Sequence, residues 1–275
     1  MPVLGMIRPR VPEGDTILWV ATRMRPVLEG QVPEQITMPA PRPGALRGLP
    51  ECGRWPARLS GRRVEAIDTL GKNLLVRFEG GLVLRSHLRM TGAWAVYERG
   101  RRWGRAPSRA WMVIRHAGRE VVQFDGPVLE LMSAARARHH DQLARLGPDV
   151  LAASFDSERF IQRLRAGDPN RPIADALLDQ RTIAGIGNIW KSEGCWEAQI
   201  DPWRPVREVS DRQALAIVEA VRPRMLRSGT LGPRYADEQV YRRARRPCMR
   251  CGEPIRVLVQ GDGARVTYWC PACQR

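Results

Sequence analysis

The last thirty residues constrain the fold of this chain more than any other stretch, because they hold four cysteines in two C-x2-C pairs. Cys248 and Cys251 form the first pair, and after eighteen intervening residues Cys270 and Cys273 form the second. A segment this short cannot bury a core of its own and needs a cross-link to stay folded. The spacing predicts a tetrahedral four-thiolate site on a β-hairpin, with one structural Zn2+ as the ion. All four ligand positions are then filled by protein, which leaves no place for a catalytic water. Val257-Leu258-Val259 and Arg265-Val266-Thr267-Tyr268-Trp269 read as the two strands, with Gln260-Gly261-Asp262-Gly263 as the turn between them. Arg265 falls near the tip; taken alone, it reads as one more solvated arginine. The remaining cysteines, Cys52 and Cys195, stand isolated and read as small buried hydrophobes.

Ahead of this segment the chain is long enough for two further domains, and 43% of its 275 residues are hydrophobic, ample for packed cores. Lysine and arginine number 45 against 29 acidic residues, a formal charge of +16 carried almost wholly by arginine. The planar arginine fork suits bidentate phosphate contacts, so a polyanionic partner is the natural reading. A source proteome rich in arginine would raise the charge as well, and charge alone does not separate DNA from RNA or membrane. No stretch approaches the roughly 20 apolar residues of a membrane span, and residues 1–10 lack the apolar run of a signal peptide. A cytoplasmic protein with no membrane partner is expected.

Ile17, Val20, Ala21, Met24 and Leu28 recur at helical spacing, which predicts a helix over 16–28, with Asp15 or Thr16 as its cap and Gly30 as its close. Pro26 sits late in that pattern, where it would kink or shorten the helix. Over 32–131 the texture changes to short apolar runs such as 74–78, 82–84 and 111–114, separated by Gly, Pro and Arg clusters, which predicts a multi-stranded β domain. The Arg- and Gly-rich stretch 98–109 reads as a long, solvated hairpin loop. Helical patterns return at 155–164, 174–178, 189–196 and 213–226, so a helical domain follows the β domain.

Within the helical region lies Leu177-Leu178-Asp179-Gln180, then Ala184-Gly185-Ile186-Gly187-Asn188-Ile189. Two glycines and an asparagine between apolar helices make a tight turn. It places Asn188 at a helix N-terminus, where free backbone N–H groups can hold a phosphate. Other pieces stand around it: Gly71-Lys72, His87-Leu88-Arg89-Met90-Thr91-Gly92, Leu146-Gly147-Pro148-Asp149-Val150-Leu151, Val240-Tyr241-Arg242, and the ending Cys270-Pro271-Ala272-Cys273-Gln274. In this order and spacing they resemble the formamidopyrimidine-DNA glycosylase / endonuclease VIII family over nearly the whole chain. The resemblance implies an α+β multidomain fold: an N-terminal helix plus β-sandwich over 12–131, a helix-two-turns-helix domain over 132–235, and a zinc-finger β-hairpin over 236–275. It implies a monomer acting on damaged double-stranded DNA, associated with the nucleoid through that binding.

The family's nucleophile is a proline at the mature N-terminus followed by glutamate. This sequence begins Met1-Pro2-Val3, and the required dipeptide instead appears as Pro12-Glu13, directly before the first helix. An internal proline nitrogen is a tertiary amide with a delocalised lone pair and cannot attack; a free terminal amine can. Residues 1–11 are therefore expected to be absent from the active protein. Translation would start at Val11 from a GTG codon, followed by removal of the initiator.

The resemblance then implies a base-excision DNA glycosylase with AP lyase activity, which forms a Schiff base at Pro12 and breaks the strand by β/δ-elimination. Glu13 would handle protons and Lys72 would assist at the substrate, with Arg265 gripping the phosphates beside the lesion. Asn188 and Arg145 would bond the DNA backbone, Met90 would fill the gap left by an extruded nucleotide, and Arg89 would meet the orphaned base or a phosphate. Each has an ordinary alternative: Glu13 as a first-turn helix charge, Lys72 as a turn residue, Met90 as core. The opening Pro12-Glu13-Gly14-Asp15-Thr16 stands closer to the endonuclease VIII style. The stretch between Thr230 and Val240 is shorter than the loop that covers oxidised purines in the other branch, which favours oxidised pyrimidines. If residues 1–11 stayed attached, the chain would be a damaged-DNA binder without catalysis; charge and cysteines alone would also allow a zinc-ribbon RNA binder.

Overall fold

The computed structural model describes residues 11–39, 52–260 and 265–275, without the side chains at 52, 234 and 260. Residues 1–10 of the expected extension 1–11, the turn at 261–263 and the burial of the Cys52 side chain fall outside them. The chain divides into two compact units. The first holds Pro12 and Val20–Arg138, and the second holds Glu13–Trp19 and His139–Arg275.

Helix α1 (Gly14–Leu28) contributes residues to both units. It starts two residues before the predicted helix and runs through Pro26, which neither ends nor shortens it. The predicted cap is corrected: α1 begins at Gly14, so Asp15 and Thr16 both lie inside its first turn, and the buried Asp15 carboxylate accepts a 2.6 Å hydrogen bond from Ser228 Oγ.

In the first unit, β1 (Gln35–Thr37), α2 (Trp55–Leu59), β2 (Val64–Leu70), β3 (Asn73–Phe78), β4 (Leu82–His87), β5 (Ala93–Glu98), β6 (Ala110–His116), β7 (Arg119–Phe124), β8 (Val128–Ser133) and α3 (Ala134–Arg138) follow in chain order. The strands form two antiparallel four-stranded sheets, ordered β2-β3-β4-β8 and β1-β6-β7-β5, which make the N-terminal β-sandwich. The indole N–H of Trp94 on β5 reaches Ser86 Oγ on β4 at 3.0 Å, a buried bond from one sheet to the other.

Residues 99–109 correct the expected hairpin. β5 and β6 both pair with β7 and lie on opposite sides of it, so the loop crosses over a strand instead of joining neighbours. It is also anchored. Trp103 stacks edge-on against Phe124 at 5.7 Å and donates to Glu120, while Arg105 and Arg109 both pair with Asp125 at 2.6 Å.

The second unit continues with α4 (Asp141–Ala144), α5 (Ser157–Arg165), α6 (Ile173–Leu178), α7 (Asn188–Glu197), α8 (Asp211–Leu231), β9 (Arg256–Gln260) and β10 (Arg265–Trp269). Its core gathers Val150, Phe160, Leu164, Leu177, Ile186, Trp190, Ile217, Val221 and Met225. Helix α8 outruns its predicted pattern at both ends, and at its start Ser210 and Gln213 close a reciprocal capping box. Helix α7 packs against α6, α8 and β10 and is buried from Ile189 through Trp196, whatever face a residue occupies. Among the described residues no helix is long and apolar enough to cross a membrane.

Candidate functional site

In the second unit the site is organised around the first turn of α7. Backbone N–H groups at a helix start lack partners within the helix and carry partial positive charge. The Glu13 carboxylate, 1% exposed, accepts from three of them: Gly187 N at 2.9 Å, Ile189 N at 2.8 Å and Trp190 N at 3.3 Å. The turn residues make room for it. A Cβ on Gly187 would lie 2.4 Å from the Glu13 carboxyl carbon, and one on Gly14 would press against Gly185 at 3.0 Å. This corrects the expected phosphate seat: the donors at Gly187, Ile189 and Trp190 already hold a carboxylate. The 146–151 segment packs on the same turn, with Gly147 N donating to Gln180 O and Ala184 N to Pro148 O, both at 2.9 Å.

Two charged side chains of α7 were not among the sequence candidates. Lys191, 1% exposed, donates to Thr267 Oγ1 at 2.7 Å, Val266 O at 3.2 Å and Asn188 Oδ1 at 3.4 Å. Burial pulls its ammonium down to about 8, against the opposing fields of Cys195, Glu13 and Asp175. Glu193, fully buried, accepts from the backbone N–H groups of Gln239, Val240 and Tyr241, each at 2.9 Å, and pairs with Arg224 at 2.8 Å. That carboxylate ties the backbone of Gln239, Val240 and Tyr241 to α7. The signal available in the sequence was two charges inside an otherwise apolar helical run. Arg265 is exposed at the start of β10, and Arg145 is exposed just after α4.

In the first unit, Lys72 is half-buried in the two-residue turn from β2 to β3, where Leu70 pairs with Asn73 and Gly71 takes φ 55°. Asn73 behind it is buried and accepts from Arg85 Nε at 3.0 Å, and Arg85 pairs with Glu130 at 2.6 Å. His87, also absent from the sequence candidates, ends β4 close to Lys72. Burial, then the fields of Arg85, Lys72 and Arg89, hold it at about 4, so its ring is neutral at neutral pH. Its Nδ1 accepts from Arg89 N at 3.1 Å, which places the ring proton on Nε2. Arg89 is exposed in the left-handed region, φ 45°. Met90 is 69% exposed, so the reading of it as core does not hold. Its loop is held from the side by Arg105, which donates to Thr91 O at 2.7 Å. Pro12 is half-buried and directly precedes Glu13.

The four cysteines meet as predicted, with all their sulfurs within 4.8 Å of one another. Cys248 and Cys273 stand 3.9 Å apart and Cys251 and Cys270 3.5 Å apart. Tetrahedral Zn–S bonds of about 2.3 Å require sulfurs about 3.8 Å apart, so the cluster fits the ion. Trp196 Nε1 at 3.4 Å and Arg250 N at 3.5 Å donate to Cys248 Sγ, as outer-shell groups do to a thiolate ligand. Cys195 is fully buried and its thiol is pushed up to about 12, consistent with an inert core residue.

Comparison with known proteins follows the same division. Residues 11–145 match the formamidopyrimidine-DNA glycosylase N-terminal domain, residues 146–230 the formamidopyrimidine-DNA glycosylase H2TH domain, and residues 246–275 the zinc finger found in FPG and IleRS. The chain belongs to the formamidopyrimidine-DNA glycosylase / endonuclease VIII family. Among its relatives it is 43% identical to the probable endonuclease 8 2 of Streptomyces coelicolor, over 96% of this chain and 94% of that protein. It is 35% identical to the DNA-(apurinic or apyrimidinic site) lyase Nei2 of Mycolicibacterium smegmatis, over 96% and 99%. Its fold matches Lactococcus lactis Fpg, solved in complex with DNA containing N7-benzyl-Fapy-dG, with a TM-score of 0.80 at 24% identity over 96% of this chain and 100% of that one.

Proposed function

We propose that this chain excises oxidised bases from duplex DNA and nicks the strand, with the free amine of Pro12 as nucleophile. The class, a bifunctional DNA glycosylase / AP lyase, follows from the family and from relatives named endonuclease 8 and AP lyase. The observation that carries the site assignment is Glu13. Its carboxylate is bonded to the Gly187-Asn188-Ile189 turn, which holds the adjoining Pro12 at a fixed place in the chain. A free proline amine titrates near 8, so a useful fraction is unprotonated and can attack the sugar C1′ as the base departs. Glu13 handles protons during base loss and ring opening, and Lys72 assists at the substrate.

The amine must be free, so residues 1–11 are absent from the active form and translation starts at Val11; the N-terminal domain match beginning at residue 11 supports this. Arg265, Asn188 and Arg145 hold phosphates, Met90 fills the space of the extruded nucleotide, and Arg89 meets the orphaned base or a phosphate. The domains run 12–131, 132–235 and 236–275, and the monomer binds one Zn2+ at Cys248, Cys251, Cys270 and Cys273. The zinc is structural: it folds the hairpin that bears Arg265. Oxidised pyrimidines are the preferred lesions, because the stretch from Thr230 to Val240 is short and its end is bonded down by Glu193.

The test is expression from the native start region, intact mass of the product, and borohydride trapping on duplexes carrying thymine glycol, 8-oxoguanine or an abasic site. A chain beginning at Pro12 that is trapped covalently, fastest on thymine glycol, is the expected result. A chain that keeps residues before Pro12, binds the DNA and is not trapped would overturn the catalytic reading and leave a damage binder. Faster trapping on 8-oxoguanine would overturn the lesion preference alone.

A further inference from the structure

Of the 45 basic residues only two are lysines, Lys72 and Lys191. Where arginine fills nearly every cationic position, a lysine at a buried one calls for a geometric reason. An ammonium has three donors on one tetrahedral nitrogen and no acceptor, whereas the guanidinium is a flat fork. Around Lys191 Nζ stand three acceptors from three residues: Asn188 Oδ1, Val266 O and Thr267 Oγ1. They match the ammonium one donor to one acceptor.

We propose that Lys191 is a positioning residue for DNA binding, which orients the Asn188 amide and ties β10, and with it Arg265, to the start of α7. The orientation follows from donor chemistry. Lys191 can only donate, so the Asn188 atom facing it must be the carbonyl oxygen, and the amide NH2 is left to face away with two donors for phosphate oxygens. Turned over, the amide would set NH2 against NH3+. The second link joins the helix end to the strand that opens with Arg265, so both phosphate-binding side chains share one anchor. Stability does not account for the lysine. Methionine has a similar length and would fill the same space without the desolvation that a buried charge incurs.

The inference rests on the reading of Asn188 as a phosphate contact, and the experiment separates the two. Affinity for a duplex carrying a tetrahydrofuran abasic analogue is measured for wild type, Asn188→Ala, Lys191→Met, Lys191→Arg and the Asn188→Ala/Lys191→Met double variant. Single-turnover nicking of saturating abasic-site DNA is measured alongside. Lys191→Met is expected to weaken binding roughly tenfold, the size of a lost charge-assisted hydrogen bond, while nicking at saturation stays within about twofold of wild type. Lys191→Arg does not rescue. The double variant binds more tightly than the product of the two single losses predicts, because part of what Lys191 contributes acts through Asn188 and only the remainder through β10.

Losses that multiply in the double variant, wild-type affinity in Lys191→Met, or full rescue by arginine would overturn the proposal. An Asn188→Ala variant that binds as wild type would instead overturn the Asn188 reading, and this inference with it. Should Lys191→Met not fold, Thr267→Val removes one acceptor with little change of shape. It is expected to weaken binding about threefold and non-additively with Asn188→Ala, and wild-type affinity there overturns the proposal.

Discussion

The start of α7 and the end of β4 treat charge in opposite ways. At α7, Glu13 and Glu193 are buried and each accepts three backbone N–H bonds, and the buried Lys191 meets three oxygen acceptors. At β4, cations crowd instead: Arg85, Lys72 and Arg89 all raise the potential at His87. A charge satisfied inside the fold fixes the geometry of the groups around it. Like charges gathered at loops and turns create a positive field that an anion relieves. Of the α7 set, Glu193 touches only protein groups and its substitution should read out in stability.

The largest effect is expected at Glu193. Glu193→Ala strands Arg224 and three N–H donors without their carboxylate, which should cost about 3 to 5 kcal/mol. That corresponds to a fall in Tm of roughly 10 °C for a protein of this size, measured by calorimetry. A fall under about 2 °C would break the view of α7 as scaffold.

A smaller, pH-dependent effect is expected at His87. Its folded value of about 4 lies below the ordinary 6.5, so the unfolded chain takes up the proton first. The stability gained from the neutral ring is complete above pH 6.5 and is lost as pH falls toward 4. His87→Gln should flatten that part of the stability profile, and NMR titration should find the ring of the wild type still neutral at pH 5. A midpoint near 6.5 would remove the crowded-cation description of β4.

The smallest stability effect belongs to Arg265, exposed at the start of β10. Arg265→Ala should leave stability within about 0.5 kcal/mol. In the reading proposed above it weakens DNA binding and lowers the salt dependence of log Kd by about one phosphate contact. An unchanged salt slope would return Arg265 to a solvated arginine.

The parts legible in the sequence are those whose cause is local. The zinc cluster follows from two C-x2-C pairs, because ligand spacing is a property of a few consecutive residues. Helices and strands follow period, and the Gly185-Ile186-Gly187 turn is marked by its composition. Local signals misled where a distant partner decided the outcome. Asp15 has the composition of a cap but bonds Ser228, and residues 99–109 look like a hairpin loop but cross β7.

The sequence alone therefore determined the class of protein, the metal ligands and the Pro12-Glu13 dipeptide, since each is a short pattern with its own chemistry. Only the tertiary structure decided what Glu13 holds, a turn whose first donor is 174 residues away, and that Lys191 and Glu193 lie buried with complete sets of partners. A side chain's hydrogen-bond partners are chosen by which surfaces the fold brings together, and no periodicity within one helix records the strand or loop that will cover it.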